Sequence, residues 1–290
     1  MTNLPLVSIV IPVYNQERFI EDCLISVLNQ TYKNLEIVVV DDNSSDNTRE
    51  KVQKFENVTL LTLKKNSGPS FARNLGVSKS HGQLVAFCDG DDIWKSEKIE
   101  AQLKFHLAYG IDLSATKYET FGQRTDSRSH ARVPNLVSKS WMLKNPLLTP
   151  FPPSVMMIRR ETLQELGGWK EQLRFGEDLD LIRRAVFSDL QVGVLEEELS
   201  FQRIHEENVS DVSVVKRIPS YMQIIKSWIE ESDEIRVSEV LVMLYRVDKS
   251  IIKTLMKEKE FFSTIQFFLK FAYFTLEVIN DLIHKKERLK

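Results

Sequence analysis

Apolar positions along this chain follow two rhythms in turn. Leu6 to Ile11 is a short, β-branched and mostly apolar run, which predicts a strand buried on both faces of a parallel sheet, with Pro12 ending it. From Arg18 to Gln30 the apolar residues Phe19, Ile20, Cys23, Leu24, Val27 and Leu28 recur at helical spacing and predict a helix covering the sheet. A second buried strand is predicted at Leu35 to Val40, and further strands at Val58 to Leu63 and Leu84 to Cys88. Asn66-Ser67-Gly68-Pro69 opens a further helix with proline in its tolerated first turn, and Phe71, Ala72 and Leu75 are expected to face inward. Alternation of this kind predicts an α/β, Rossmann-like, mostly parallel doubly wound sheet. Its ligands should lie beyond the carboxyl ends of the strands.

From Ile111 to Glu198 the pattern is less regular, with a polar stretch at Gly122 to Ser140 and a proline-rich one at Asn145 to Pro153. This half is expected to be a variable, substrate-facing one. After about Val212 the rhythm becomes helical, and a boundary there separates a domain at 1–212 from a helical C-terminal region at 213–290.

The chain has 290 residues, 42% hydrophobic and 28% charged, enough for a large core. A net charge of -2 and a pI near 6.3 offer nucleic acid no basic face, so no nucleic-acid partner is expected. Cys23 and Cys88 have neither the number nor the spacing of a disulfide framework or a zinc site. The start carries no signal-peptide pattern, and a cytoplasmic location is expected.

Polar chemistry gathers at the predicted strand ends. Asp89-Gly90-Asp91-Asp92 crowds three carboxylates onto one turn, which a hard divalent cation would relieve while bridging them to a diphosphate. The plainer reading of an isolated turn like this is a helix cap. Asp41 directly follows a buried apolar run and needs a partner, so it or Asp42 could accept from a nucleobase or ribose; Ser44 and Thr48 are expected to cap the next helix. Arg73 sits in a packing helix and suits either a phosphate or base carbonyl, or an ion pair with one of the aspartates. Gly167 stops a short helix, and Glu177-Asp178 starts another, whose dipole would keep Asp178 ionised as a general base requires. His205 follows a predicted strand and offers a metal ligand or a diphosphate contact, although a lone histidine is usually neither.

Five segments, in this order, resemble the family 2 glycosyltransferases, an inverting group with the A-type glycosyltransferase fold. They are Val7 to Asn15, Asp41-Asp42-Asn43-Ser44, Ala72-Arg73-Asn74, the Asp89 to Asp92 turn and Glu177-Asp178. The resemblance covers about Pro5 to Ser210. It implies a nucleotide-binding part at about 1–110 and an acceptor part at about 111–212, with nucleotide binding by Pro12, Tyr14, Asn15, Asp41, Asp42, Arg73, Asp89 and Gly90, and a catalytic base at Asp178. It also implies metal binding by Asp91, Asp89 and His205, with Mn2+ or Mg2+ as cofactor. The partners implied are a nucleotide-sugar donor, of the UDP type, and a saccharide or lipid-linked saccharide acceptor. Processive members carry a Gln-x-x-Arg-Trp-like motif and membrane spans, both missing here, so single-sugar addition in surface polysaccharide or glycolipid assembly is expected. A non-catalytic nucleotide-sugar-binding scaffold and a sugar nucleotidyltransferase are the rival readings. The latter usually starts with a glycine- and arginine-rich loop, which this chain lacks.

In the tail, Phe261, Ile265, Phe268, Ala272, Leu276, Ile279 and Ile283 share one helical face, ahead of the basic end His284 to Lys290. That face is expected to pack on the protein, to join a second copy, or to lie on the cytoplasmic membrane surface.

Overall fold

A computed structural model describes residues 4–123, 133–149, 151–205, 214–231, 271, 274 and 275. The tail face and its basic end fall outside these residues; of the tail only Phe271, Phe274 and Thr275 are described. The boundary near 212 and much of the polar stretch 122–140 fall outside them too.

The elements run β1 (Val7–Val13), α1 (Ile20–Leu28), β2 (Leu35–Asp41), α2 (Thr48–Val52), β3 (Thr59–Thr62), α3 (Pro69–Lys79), β4 (Leu84–Phe87), β5 (Ile93–Trp94) and α4 (Lys98–Tyr109). They continue with β6 (Leu113–Gly122), α5 (Lys139–Lys144), a 3-10 turn, β7 (Met156–Arg159), α6 (Arg160–Glu165), α7 (Glu177–Phe187), β8 (Val192–Ile204) and α8 (Val214–Glu231).

One sheet holds all the named strands in the order β3-β2-β1-β4-β7-β6-β8-β5. Its first half is parallel, as expected. Beyond β4 it is mixed: β7 is antiparallel to both β4 and β6, β8 is parallel to β6, and β5 is antiparallel to β8. Two reversals at β7 turn β6 and β8 back into the direction of β1 and β4. The C-terminal ends of β1, β2, β4 and β8 therefore share one edge of the sheet, and α7, which leads down into β8, begins at that edge.

Side chains of β1 alternate between the two faces, as a strand's period of two requires. Val7, Ile9, Ile11 and Val13 pack with Ile20, Cys23 and Leu24 of α1 and Ile99 and Leu103 of α4. Val10 packs on the opposite face, in a core with Leu179, Leu181 and Ile182 of α7 and Ile225 and Trp228 of α8. Phe271 and Phe274 are buried in that second core.

Three local expectations are corrected. Pro12 does not end β1, which continues to Val13. The Val10 carbonyl accepts from Cys88 on the β4 side, and that side has no ladder left at Pro12, so the missing N–H costs nothing there. Phe71 and Leu75 are only half-buried; the inner face of α3 is Ala72, Arg73, Gly76 and Val77. Ser44 and Thr48 do not cap α2, since its N-cap is Asn47 and makes no side-chain cap.

β6 and β8 are irregular where they meet. Thr116 pairs with Leu195 but Lys117 with Glu198, so Glu196 and Glu197 bulge from the ladder. On the outer side of β8, Leu136 bridges Gly193, and β5 covers Ser200 and Phe201.

Candidate active site

The loops after β1 and β2 are laced together. The Asn15 N–H donates to Ser44 Oγ at 2.9 Å, the Gln16 N–H to Thr48 Oγ1 at 2.8 Å, and the Ser45 N–H to Asn15 Oδ1 at 2.9 Å. Asn15 takes the left-handed conformation, φ 54°, which asparagine tolerates better than most residues. The partner that Asp41 needed is Arg49: the fully buried carboxylate accepts from its Nε at 2.7 Å and from the Ser44 N–H. Asp42 accepts from the N–H groups of Ser67 at 2.6 Å and Gly68 at 2.7 Å, fixing the entry to α3. Asp41 and Asp42 thus shape this rim from beneath, while Pro12 is half-buried and Tyr14 is exposed on it.

The acidic turn lies beside this rim. Gly90 is needed there because a Cβ would come within 2.7 Å of Val13 Cγ1. β8 holds the turn from the other side. The Arg203 N–H donates to Asp92 Oδ1 at 2.9 Å, and its Nε donates to the Asp91 carbonyl at 2.9 Å. The Arg203 guanidinium lies between the rings of Phe19 and Phe121, at 4.8 and 4.5 Å. Burial, with the charges of Asp91 and Asp89 added, pushes the Asp92 carboxyl well above the usual range. His205, one residue past β8, brings Nε2 to 2.9 Å from Asp91 Oδ2 and rests on Phe19.

Asp89 turns the other way. Arg73, buried in α3, donates to Asp89 Oδ1 at 2.8 Å and to Glu177 Oε1 at 3.3 Å, and lies 4.9 Å from the Trp169 ring centre. Burial alone would lower its pKa, but the two carboxylates outweigh that and raise it. Of the two readings for Arg73, the structure shows the ion pair. Asn74 clamps the Trp169 backbone through both amide atoms, at 2.9 and 2.8 Å. Arg184, itself paired with buried Asp180, donates to the carbonyls of Leu166 and Gly168. The Gly167-Gly168-Trp169 loop is thereby tied to α7, whose first turn carries Asp178.

Asp178 departs from expectation. The helix dipole was to keep it ionised, yet burial, followed by the charge of Glu177, pushes its carboxyl up to about 7. Desolvation wins because a dipole end contributes at most about 2 kcal/mol, whereas burial of a charge can shift a pKa by several units.

The expected metal set of Asp89, Asp91 and His205 is only partly gathered. Asp91 and His205 meet, whereas Asp89 is taken by Arg73, and no cluster of three potential ligands forms among the described residues. The Asp91–His205 hydrogen bond needs a proton between nitrogen and oxygen, which a divalent ion could replace. One carboxylate and one imidazole, completed by diphosphate oxygens and water, suit Mn2+ or Mg2+, so the residues fit the ion. Arg49, Arg203 and the Asn74 clamp were missed as site-building residues: Arg203 and Asn74 act through atoms far away in sequence, whereas nothing distinguished Arg49 from the other cations near Asp41.

Comparison with known proteins adds the chemistry. The family model described as Glycosyl transferase family 2 matches residues 8–167, ending before Glu177. TuaG of Bacillus subtilis, named as a teichuronic acid biosynthesis glycosyltransferase, is 35% identical over 61% of this chain and 75% of its own. WfgD of Escherichia coli, a UDP-Glc:alpha-D-GlcNAc-diphosphoundecaprenol beta-1,3-glucosyltransferase, is 39% identical over 48% of this chain and 56% of its own. S. aureus TarS 1-349 in complex with UDP-GlcNAc superposes with a TM-score of 0.70 at 23% identity, covering 84% of this chain and 72% of that one. The mannosyltransferase PcManGT of Pyrobaculum calidifontis, in complex with GDP-Man and Mn2+, gives 0.65 at 17% identity over 99% and 83%. These likenesses show the shared A-type fold. With the family match spanning more than half its length, and the expected acids at one edge of that fold, the chain belongs to the family 2 glycosyltransferases.

Proposed function

We propose that this glycosyltransferase moves a single sugar from a UDP-sugar to an acceptor hydroxyl with inversion, in the assembly of a surface polysaccharide or a lipid-linked glycan. The observation that carries the mechanism is the Asp178 carboxyl, pushed up to about 7 and joined to the donor-side acids through Glu177, Arg73 and Asp89. A base with a pKa near the working pH accepts a proton readily, and the proton stays on it once transferred. UDP-GlcNAc in TarS and the lipid diphosphate acceptor named for WfgD support the substrate classes.

The donor would lie across the rim formed by Pro12, Tyr14 and Asn15, above the positions fixed by Asp41 and Asp42. Asp91 and His205 would hold the divalent ion, which when bound offsets the charge gathering on the departing diphosphate. Asp178 accepts the acceptor's hydroxyl proton as that oxygen bonds to the anomeric carbon. The bond from that carbon to the diphosphate oxygen breaks, and its electrons leave with the nucleoside diphosphate. Attack opposite the leaving group inverts the centre.

Asp178 must be ionised to act, so turnover should rise with pH through about 7. Asp178→Asn should keep donor binding and lose turnover by about a hundred- to ten-thousand-fold. A product with retained anomeric configuration, found by NMR, would reject the displacement mechanism.

A further inference from the structure

β8 ends beside the acidic turn, beyond the stretch that the family model matches. Two side chains there rest on one ring: Phe19 lies 4.8 Å from the Arg203 guanidinium and 4.7 Å from the His205 ring. Residues two apart along a strand share a face, so Arg203 and His205 are presented to Phe19 together. Arg203 then grips the turn twice. Its N–H donates to Asp92 Oδ1 and its Nε to the Asp91 carbonyl, both at 2.9 Å. That carbonyl belongs to the peptide joining Asp91 to Asp92, so one residue holds this link from both sides. Its own direction is set by other elements: Phe121 of β6 meets the guanidinium at 4.5 Å, and Asp22 of α1 accepts from it at 3.1 Å.

We propose that Arg203 is a positioning residue for the divalent ion: by holding the Asp91–Asp92 peptide it keeps Asp91 on His205, so that both ligands stand in place before the ion and the diphosphate arrive. Asp91 Oδ2 and His205 Nε2 are 2.9 Å apart. Neighbouring ligands of a six-coordinate ion the size of Mg2+ lie about 3 Å apart, so the pair already has the spacing that the ion requires. Without the grip, repulsion among Asp89, Asp91 and Asp92 would favour turning Asp91 away, and ion binding would be weakened by the cost of bringing it back. The positive charge of Arg203 itself opposes a nearby cation, so its benefit to the ion comes through geometry. Arginine suits this task because its planar fork reaches the carbonyl with one nitrogen and Asp22 with another while its faces stack on rings; a lysine ammonium is a point charge and cannot do all three.

The inference rests on the proposed reading of Asp91 and His205 as holders of the ion. Its test is a Mn2+ titration of the full chain at one fixed UDP concentration, read as thermal stabilisation beyond that given by UDP alone. Arg203→Lys keeps the charge and loses the fork, so it changes positioning and leaves the electrostatics toward the ion in place. Its apparent Mn2+ affinity is expected to fall about ten- to a hundredfold, as is usual when a group that orients a metal ligand is lost. Its affinity for UDP without metal should stay that of the parent. A role in folding alone would lower the melting temperature but not move the Mn2+ midpoint. Phe121→Leu, which takes one ring from the guanidinium and changes neither ligand, should weaken Mn2+ binding by a smaller factor, and carries the test if the lysine variant does not fold. Mn2+ binding as tight as the parent's, or tighter, in these variants overturns the proposal. If the parent itself gains nothing from Mn2+, the metal reading of the site falls and this inference falls with it.

Discussion

Lys98 lies at the start of α4, fully buried, with Nζ donating to Gln102 Oε1 at 2.8 Å and standing 3.9 Å from the Trp94 ring centre. Burial pulls its pKa from 10.5 down to about 7. Between those values the unfolded chain binds a proton that the folded one does not, so this residue makes stability rise as pH climbs from about 7 toward 10.5. Below 7 the cost of burying the charge is present in full. Lys98→Met should raise the denaturation midpoint near neutrality and flatten its rise at alkaline pH, and parallel curves for the two proteins would contradict this. Nothing in the sequence marked Lys98, because a lysine at the start of a helix ordinarily reaches water. Asp178 was legible as a residue but not in its charge state. The dipole argument used one turn of helix and took no account of desolvation, which is the larger effect.

At the scale of elements, the turn from Asp89 to Asp92 is fixed from three directions: Arg73 of α3 on Asp89, and Arg203 and His205 at the end of β8 on Asp91 and Asp92. On the proposed reading Asp91 holds the cation, so Asp91→Asn should abolish the added thermal stabilisation that Mn2+ brings with UDP while leaving the melting temperature of the free protein nearly unchanged. Equal stabilisation in that variant would remove Asp91 from the metal site. The turn was legible because three acids after a buried run are conspicuous. Its restraints were not, since Arg203 lies 111 residues from Asp92 in the chain. For Asp41 and Arg49, only 8 residues apart, the limit is a different one. The need for a partner could be argued, but Arg49 could not be told from any other cation. β1 to β4 were readable from apolar runs, whereas β6 hides buried Ser114 and Thr116 among its inward positions and gave no such signal.

For the molecule as a whole, the parallel half followed from the alternation of strand and helix, while the antiparallel insertion of β7 did not. That insertion is what returns β8 to the site edge with His205 at its tip. It also leaves β8 near the margin of the sheet, next to a partner only two residues long. Among the described residues no strand covers the outer side of Leu195 to Glu198. An uncovered strand there exposes backbone donors and acceptors on which another molecule could stack by adding its own strand. The stretch is blunted twice over: Glu196 and Glu197 bulge out of register, and exposed glutamates occupy three successive positions. Two molecules approaching edge to edge would bring like charges together along a kinked strand. The glutamates therefore act as gatekeepers of solubility, apart from any part in sugar transfer. Changing Glu196, Glu197 and Glu198 together to threonine should leave the melting temperature close to the parent's but produce concentration-dependent aggregation, seen by light scattering. A variant that stays monodisperse at high concentration would show that the bulge alone keeps this edge from pairing.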